Sequence, residues 1–312
     1  SSLDVSFFLL VYNLNFKASQ ANIFMRPFVS YIWFSCLLFI YQPLHSQQLL
    51  FENYSSEQGL SQHFGLSIAQ DGDGFMWFGT GEGLNRYDGR KFKIFTRLNE
   101  AGKKLPSNVI LSLSFDSVNN LLWIGTPGGA CLYVPSGDSI AALSSFFPFA
   151  SSLDKLSVKK IVSFSPNEYW VITYNSGLIY LNTKSAALYS FFTSDEDKTN
   201  VTDVVWHDGK IIVSLLYNLY TLLPTRTTYR AAQLHVGYQF PQITSLASTA
   251  GRLWVGTISR GCYYVKNPVE KKENIAASDI VFGGIQSFGT GNSKELWIAT
   301  RGSGIHIYDE QT

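Results

Sequence analysis

A five-residue phrase centred on tryptophan recurs along most of the chain and limits the folds that the chain can adopt. The phrase is an apolar residue, Trp, a second apolar residue, Gly or Ala, and Thr. Its four clear copies are 76–80, 122–126, 253–257 and 296–300, and a weaker copy is 169–173. Successive tryptophans are 46, 47, 84 and 43 residues apart, and Ile212 stands midway along the step of 84. Six copies at a period of roughly 40–45 residues are typical of the blades of a β-propeller.

The first repeat can be divided into four short strands. Residues 65–70 alternate between apolar and polar, and the glycine-rich turn 71–74 leads to a second predicted strand at 75–80. The third and fourth strands are predicted at 84–87 and 91–96, each after a Gly-containing turn. In the second strand, Trp offers a large surface that can fill the wedge between blades. The predicted blade-core residues are Trp77, Trp123, Trp170, Trp254 and Trp297.

The two ends of the repeat array leave the blade count open. Residues 51–54 resemble the fourth strand of the first repeat, and the sixth repeat ends after its third strand. The predicted fold is therefore an all-β propeller of four-stranded antiparallel blades, with about six blades present. It is either an incomplete seven-bladed ring or a six-bladed ring closed by strand 51–54.

The composition argues against several functional classes. Charged residues are 15% of the chain, aromatic residues are 15%, and the net charge is +1 without a Lys/Arg cluster, so we expect no nucleic-acid contact. Cys131 and Cys262 occupy equivalent positions in distant repeats, too far apart for a disulfide, and we expect both to be buried. No His or Cys has metal-ligand spacing to another, and no pair of acids can be assigned as a catalytic pair. We therefore predict no metal, no cofactor and no catalytic residue.

The N-terminal part has a different composition from the repeats. Met25 and Arg26 precede an uncharged, mostly apolar run at 28–41 and then a polar segment, which is typical of a secretory signal peptide. We divide the chain into a leader at 1–24 (one that need not be translated), a signal peptide at 25–46 and the propeller at 47–312. A membrane would then be contacted only through the signal segment or through a helix downstream of this chain.

Blade topology predicts where a ligand would bind. The turn between the second and third strands and the link between successive blades lie at the same end of each blade. Aromatic, amide, Arg and Glu side chains at that end suit sugar rings and hydroxyl groups. The predicted ligand-binding residues are Gln62, His63, Glu82, Tyr174, Asn175, Tyr217, Asn218, Arg260 and Arg301.

The first repeat, from Leu66 to Gly89, resembles the two-component regulator propeller repeat, and so does its lead-in Gly59-Leu60-Ser61. The resemblance covers about 51–309 and is weaker in the third and fourth repeats. It implies the periplasmic sensor of a hybrid two-component system, in which two seven-bladed propellers precede a β-sandwich, a membrane helix, a histidine kinase, a receiver and a DNA-binding domain. Such sensors respond to glycan-derived oligosaccharides.

The resemblance also sets expectations for the whole protein. This chain would be the N-terminal part of a periplasmic, homodimeric sensor that controls transcription through a kinase outside the chain. The part at hand would then not be an enzyme. Two alternatives stay open from the sequence, namely a secreted propeller enzyme (a lyase or glycosidase) and a propeller scaffold that binds proteins.

Overall fold

The computed structural model describes residues 55–99, 104–226, 228–234, 240–249, 251–266, 273–274, 283–290 and 295–309. These residues belong to one compact unit, Tyr54–Thr312. The predicted leader, the signal peptide and the strand 51–54 lie outside the described residues. The strands within them form six antiparallel sheets, which we number as blades 1 to 6.

Each blade is a meander in which consecutive strands pair. Blade 1 contains β1 (Gly65–Gln70), β2 (Met76–Thr80), β3 (Leu84–Tyr87) and β4 (Phe92–Phe95). Blade 2 contains β5 (Ser112–Asp116), β6 (Leu121–Thr126), β7 (Gly129–Val134) and β8 (Ser139–Ala142). Blade 3 contains β9 (Val158–Ser165), β10 (Glu168–Thr173), β11 (Leu178–Asn182) and β12 (Ala187–Phe191). Blade 4 contains β13 (Val201–His207), β14 (Lys210–Leu215), β15 (Asn218–Pro224) and β16 (Tyr229–Leu234).

The last two blades follow the same order. Blade 5 contains β17 (Ile243–Thr249), β18 (Arg252–Thr257), β19 (Cys262–Lys266) and the two-residue β20 (Glu273–Asn274). Blade 6 contains β21 (Ile285–Thr290), β22 (Glu295–Thr300) and β23 (Ile305–Asp309), so within the described residues it has three strands. The predicted all-β propeller of about six blades is confirmed. The helices of the described ranges are short 3₁₀ segments of at most seven residues, and none is long and apolar enough to cross a membrane.

Adjacent blades are held together by apolar cores that contain the repeated tryptophans. Trp77 lies in the core between blades 1 and 2, and Trp123 lies in the core between blades 2 and 3. Trp170 and Trp254 take the same role between blades 3 and 4 and between blades 5 and 6. These four indoles are almost completely buried, as the repeat pattern predicted. In the core between blades 4 and 5 the aliphatic Ile212 replaces Trp.

The described blades form five interblade cores, whereas a closed ring of six blades needs six. Apolar side chains on the two terminal blades are exposed, including Phe64 and Ile68 at blade 1 and Ile305 at blade 6. Trp297 of blade 6 is only partly buried, unlike its four counterparts. Among the described residues the array is therefore open between blades 6 and 1. Closure by strand 51–54 stays a prediction, because that strand lies outside them.

The glycine of the repeated phrase allows one blade to approach the next. A Cβ atom added to Gly79 would lie 2.7 Å from Ile110 Cγ2, and one added to Gly256 would lie 2.7 Å from Ile285 Cγ2. Both isoleucines belong to the following blade. The backbone itself thus sets the spacing between these blades.

Candidate functional site

We call the described turns and links at one end of the blades the turn-and-link face. In blades 1, 3 and 6, the turn after the second strand is hydrogen-bonded to the link that enters the same blade. Gly81 N donates to Gln62 Oε1 at 2.9 Å in blade 1, and Tyr174 N donates to the Ser157 carbonyl at 3.0 Å in blade 3. Arg301 N donates to the Gly284 carbonyl at 2.8 Å in blade 6. The structure thus confirms that turns and links lie at the same end.

The repeated threonine fixes the shape of these turns. Its hydroxyl donates to the carbonyl of the glycine that precedes the third strand, over 2.7–3.0 Å, and accepts a backbone N–H of the turn. This double contact is present at Thr80, Thr126, Thr173, Thr257 and Thr300. Blade 4 has Leu215 at this position. The threonines therefore have a structural role that leaves the tips of the turns free to vary.

All nine predicted binding residues lie on the turn-and-link face, since each belongs to a turn or link at that end. Tyr174 and Tyr217 extend from the turns of the adjacent blades 3 and 4 and are 43% and 46% exposed. His63, Glu82, Asn175, Asn218, Arg260 and Arg301 are also exposed. Two neighbours fix side chains of this set, because Gln233 Nε2 donates to Asn218 Oδ1 at 3.3 Å and Arg301 Nε donates to Gln286 Oε1 at 2.9 Å. Gln62 Oε1 accepts from the turn of blade 1, which orients this side chain at the face.

A β-bulge begins each first strand just below this face, in blades 1, 3, 4, 5 and 6. In blade 3, Val158 pairs with Thr173 and Lys160 pairs with Ile172, so Lys159 is the additional residue. A bulge places two residues opposite one and changes the direction of their side chains. Both lysines accordingly reach towards blade 4.

The two bulge lysines have different partners in blade 4. Lys160 Nζ lies 2.5 Å from Asp203 Oδ1, and this carboxylate is 2% exposed while the Lys160 side chain is 39% exposed. Asp203 also accepts from Val204 N at 2.8 Å through Oδ1 and from Leu246 N of blade 5 at 2.9 Å through Oδ2. Asp203 therefore ties together blades 3, 4 and 5. Both of its oxygens are occupied.

Lys159 has a weaker set of contacts. Its Nζ donates to the Val201 carbonyl at 3.4 Å, the one hydrogen bond that its side chain makes within the described part of the chain. Burial lowers the pKa of Lys159, and Lys160 acts in the same direction, while Asp203 opposes them. The result is a half-buried ammonium group that does not have a carboxylate of its own.

Lys159, Lys160 and Asp203 are not among the predicted site residues, although the repeats contain a signal for two of them. The residue that pairs across from the glycine position of the phrase is serine in four blades, namely Ser67, Ser112, Ser245 and Ser287. The same position is Lys160 in blade 3 and Asp203 in blade 4. Comparing the repeats at this position would have identified a charged pair in the two repeats that match the consensus least.

Asp71 and the two thiols that the structure describes have structural roles. Asp71 accepts from the backbone N–H groups of Asp73 and Phe75 through Oδ1 and from Trp77 Nε1 through Oδ2, so it builds a turn. Cys131 and Cys262 are free and buried, as predicted. In the part of the chain that the structure describes, no three His, Cys, Asp or Glu side chains are grouped closely enough to hold a metal ion. The turn-and-link face thus offers aromatic, amide and charged groups that suit binding.

Comparison with known proteins supports the resemblance inferred from the repeats. The family model of the two component regulator propeller matches residues 59–82, which include β1, β2 and the link into blade 1. Histidine kinase P4 of Formosa agariphila is 36% identical over 66 residues, which are 20% of this chain and 5% of that protein. The repeat at 59–82 is therefore a two-component regulator propeller repeat.

Two solved structures share the fold over most of this chain. The extracellular domain of BT3049, described as a hybrid two-component system of B. thetaiotaomicron, is 25% identical with a TM-score of 0.65, over 83% of this chain and 35% of that one. The extracellular domain of BT4673 from the same organism is 20% identical with a TM-score of 0.64, over 84% and 34%. The second likeness shows the fold alone. This chain spans about a third of either solved domain and about a twentieth of the kinase.

Proposed function

We propose that this chain is a propeller of the extracytoplasmic sensor in a hybrid two-component system and that its turn-and-link face binds an oligosaccharide. The regulator propeller repeat and the likeness to an extracellular domain of such a system support the sensor assignment. The observation that carries the ligand assignment is the pair of exposed tyrosines, Tyr174 and Tyr217, on adjacent blades of one face. Aromatic rings next to amide and charged groups bind the apolar faces and the hydroxyl groups of sugars.

The mechanism that we propose is a shift of populations. The ligand binds one arrangement of a homodimeric periplasmic sensor more tightly than another, and this difference biases a histidine kinase outside the chain and, through it, transcription. A ligand that bound both arrangements equally would transmit no signal. The role of the propeller is recognition, and phosphoryl transfer takes place elsewhere in the protein.

A secreted lyase or glycosidase is the main alternative, and the buried carboxylate beside the bulge lysines does not support it. Such an enzyme needs an acid or histidine that is free to transfer a proton to or from the substrate. Asp203, the buried carboxylate next to the bulge lysines, has both oxygens engaged by Lys160 and backbone N–H groups. It is therefore poorly suited to act as a general base.

Titration calorimetry with a panel of oligosaccharides tests the ligand assignment. Tyr174→Ala and Tyr217→Ala should each weaken binding about tenfold, because each removes one aromatic contact with the sugar. The matched control is Trp206→Ala, which removes an aromatic side chain of similar exposure, 47%, from the far part of β13, away from the turn-and-link face.

The control also defines the result that contradicts the proposal. Unchanged affinity in both tyrosine variants, together with weaker binding in Trp206→Ala, would indicate that the ligand binds at the opposite end of the blades. Absence of binding to every oligosaccharide of the panel would reject this face as the site.

A further inference from the structure

Lys159 is placed at the turn-and-link face by the bulge of β9. Tyr174 N donates to the carbonyl of Ser157, which is two residues before Lys159, and Val158 pairs with Thr173. The bulge therefore begins one residue inside the face, next to the turn that carries exposed Tyr174. A ligand that contacts Tyr174 would also reach the bulge.

The bulge residue differs in chemistry from its counterparts. The equivalent additional residue is Leu66 in blade 1, Thr202 in blade 4, Thr244 in blade 5 and Gln286 in blade 6. Where these residues are polar they bond to the protein itself, since Thr202 Oγ1 bonds to Ser214 and Thr244 Oγ1 donates to the Ile285 carbonyl at 2.7 Å. Among the bulges that the structure describes, blade 3 alone carries a cation at this position.

The nearest carboxylate, Asp203, compensates the charge of Lys159 only in part, since burial lowers the pKa of Lys159 more than Asp203 raises it. The Asp203 carboxylate is engaged by Lys160 and by two backbone N–H groups, and within the described residues no hydrogen bond joins it to Lys159. The two lysines and this one carboxylate carry a net charge of about +1 at neutral pH. Burial already disfavours the charged form of Lys159, as the lowered pKa shows. A cation that is partly removed from water and bonded to one distant carbonyl gains strongly when an anionic oxygen approaches.

We propose that Lys159 anchors an anion subsite on the turn-and-link face and that this subsite takes the carboxylate or sulfate ester of an acidic oligosaccharide. The inference rests on the proposed function and adds the chemical class of the ligand. Lys159 Nζ supplies the charge-assisted hydrogen bond to the anionic group. Tyr174 contacts the sugar ring, and the Lys160–Asp203 pair holds the bulge against blade 4.

Three probes test the subsite by calorimetry on the purified chain. They are trigalacturonate, its neutral methyl ester and galactose 6-sulfate. The ester keeps the sugar skeleton of trigalacturonate without its charge, and galactose 6-sulfate carries a sulfate ester as its anionic group. We expect an acidic probe to bind at least about tenfold more tightly than the ester, because a hydrogen bond to a charged group is worth roughly twice a neutral one. Raising NaCl from about 50 mM to about 500 mM should weaken binding of the acidic probe and leave the ester unchanged.

Variants assign the effect to Lys159. Lys159→Gln should weaken binding of the acidic probe about tenfold and leave the ester unaffected, whereas Lys159→Arg should retain most of the affinity. The matched control is Lys210→Gln, which removes the same charge from an exposed lysine at the start of β14, at the opposite end of blade 4. Urea denaturation of each variant verifies that it is folded.

The outcomes separate this inference from the function on which it rests. Binding of the neutral ester that depends on Tyr174, with no preference for either acidic probe, would leave the sugar-binding face in place and overturn the anion subsite. Equal losses in Lys159→Gln and Lys210→Gln would overturn it as well, because long-range charge would then explain the effect. Failure of all three probes to bind would contradict both proposals, and a preference between the two acidic probes identifies the anionic group.

Discussion

Asp203→Ala is the substitution whose cost follows most directly from the structure. Removing the carboxylate leaves the N–H groups of Leu246 and Val204 without this acceptor and Lys160 without its partner. An orphaned buried N–H costs about 1–3 kcal/mol. The ion pair contributes only about 1 kcal/mol, because the Lys160 side chain is 39% exposed and can be solvated again. With the Leu246 N–H and the ion pair alone the loss in the free energy of unfolding is about 2–4 kcal/mol, and the lost bond to Val204 N adds to it.

A second substitution at the same position separates the two contributions. In blade 2, Ser112 at the equivalent position accepts Ile161 N of the next blade at 2.9 Å, so a hydroxyl can satisfy an N–H across a blade interface. Asp203→Ser should therefore restore the bond to Leu246 N and lose the ion pair, about 1 kcal/mol, together with the bond to Val204 N. The double variant Lys160→Ser/Asp203→Ser gives blades 3 and 4 the serine found at this position in the other four blades. Its loss in the free energy of unfolding should not exceed that of Asp203→Ser.

The assay is urea denaturation followed by tryptophan fluorescence, with circular dichroism as a second probe. Asp195→Ala is the matched control, because Asp195 also lies 2.5 Å from a lysine, Lys198, but is 98% exposed. That control should lose no more than about 0.5 kcal/mol. Equal losses in Asp203→Ala and Asp195→Ala, or in Asp203→Ala and Asp203→Ser, would refute the reasoning from buried interblade hydrogen bonds.

Three further predictions concern the cores and the buried polar groups. Trp123→Ala should lower the free energy of unfolding by about 3–5 kcal/mol, and Trp297→Ala should lower it by about half as much, because Trp297 is only partly buried. Equal losses in urea denaturation would contradict a blade 6 that is packed on one side. Burial lowers the pKa of His207, although Asp208 opposes this, so the unfolded chain binds the proton first and stability should fall as the pH drops through the ordinary value of 6.5. His207→Gln should reduce the difference between urea midpoints measured at about pH 7.5 and about pH 5.5, and an unchanged difference would assign it to other groups. Burial raises the pKa of the Cys131 thiol and raises that of Cys262 to about 12. Neither thiol should therefore react with iodoacetamide in the folded protein, whereas both should react in urea. Peptide mass spectrometry measures the labelling, and labelled cysteines in the native protein would count against their burial.

The face and the cores could be predicted from the sequence because their signals are local. Trp77 and Trp123 mark the second strand of their blades, and the short turns after Thr80 and Thr126 fix the direction of the third strand. A meander of consecutive strands then leaves little freedom in where each turn lies. The positions of Tyr174 and Tyr217 on one surface followed from that regularity.

The bulge lysines could not be predicted in this way because the hairpin between the first and second strands varies in length. Asp203 precedes Ile212 by nine residues, whereas Ser112 precedes Trp123 by eleven, although both pair across from the same position of the phrase. Counting back from the tryptophan therefore places equivalent residues out of register. Strand pairing resolves this, and it also shows which residue of each first strand is the additional one.

The sequence by itself determined the repeated unit, the four-stranded meander and the residues that fill the wedge between blades. These features depend on contacts close along the chain and on a pattern that is repeated six times. Only the tertiary structure decided that five interblade cores form, that Asp203 joins three blades, and that Lys159 has no carboxylate hydrogen-bonded to it, each among the described residues. Each of these depends on which side chains meet across separate blades, over 40 residues apart in the chain, where local periodicity carries no information.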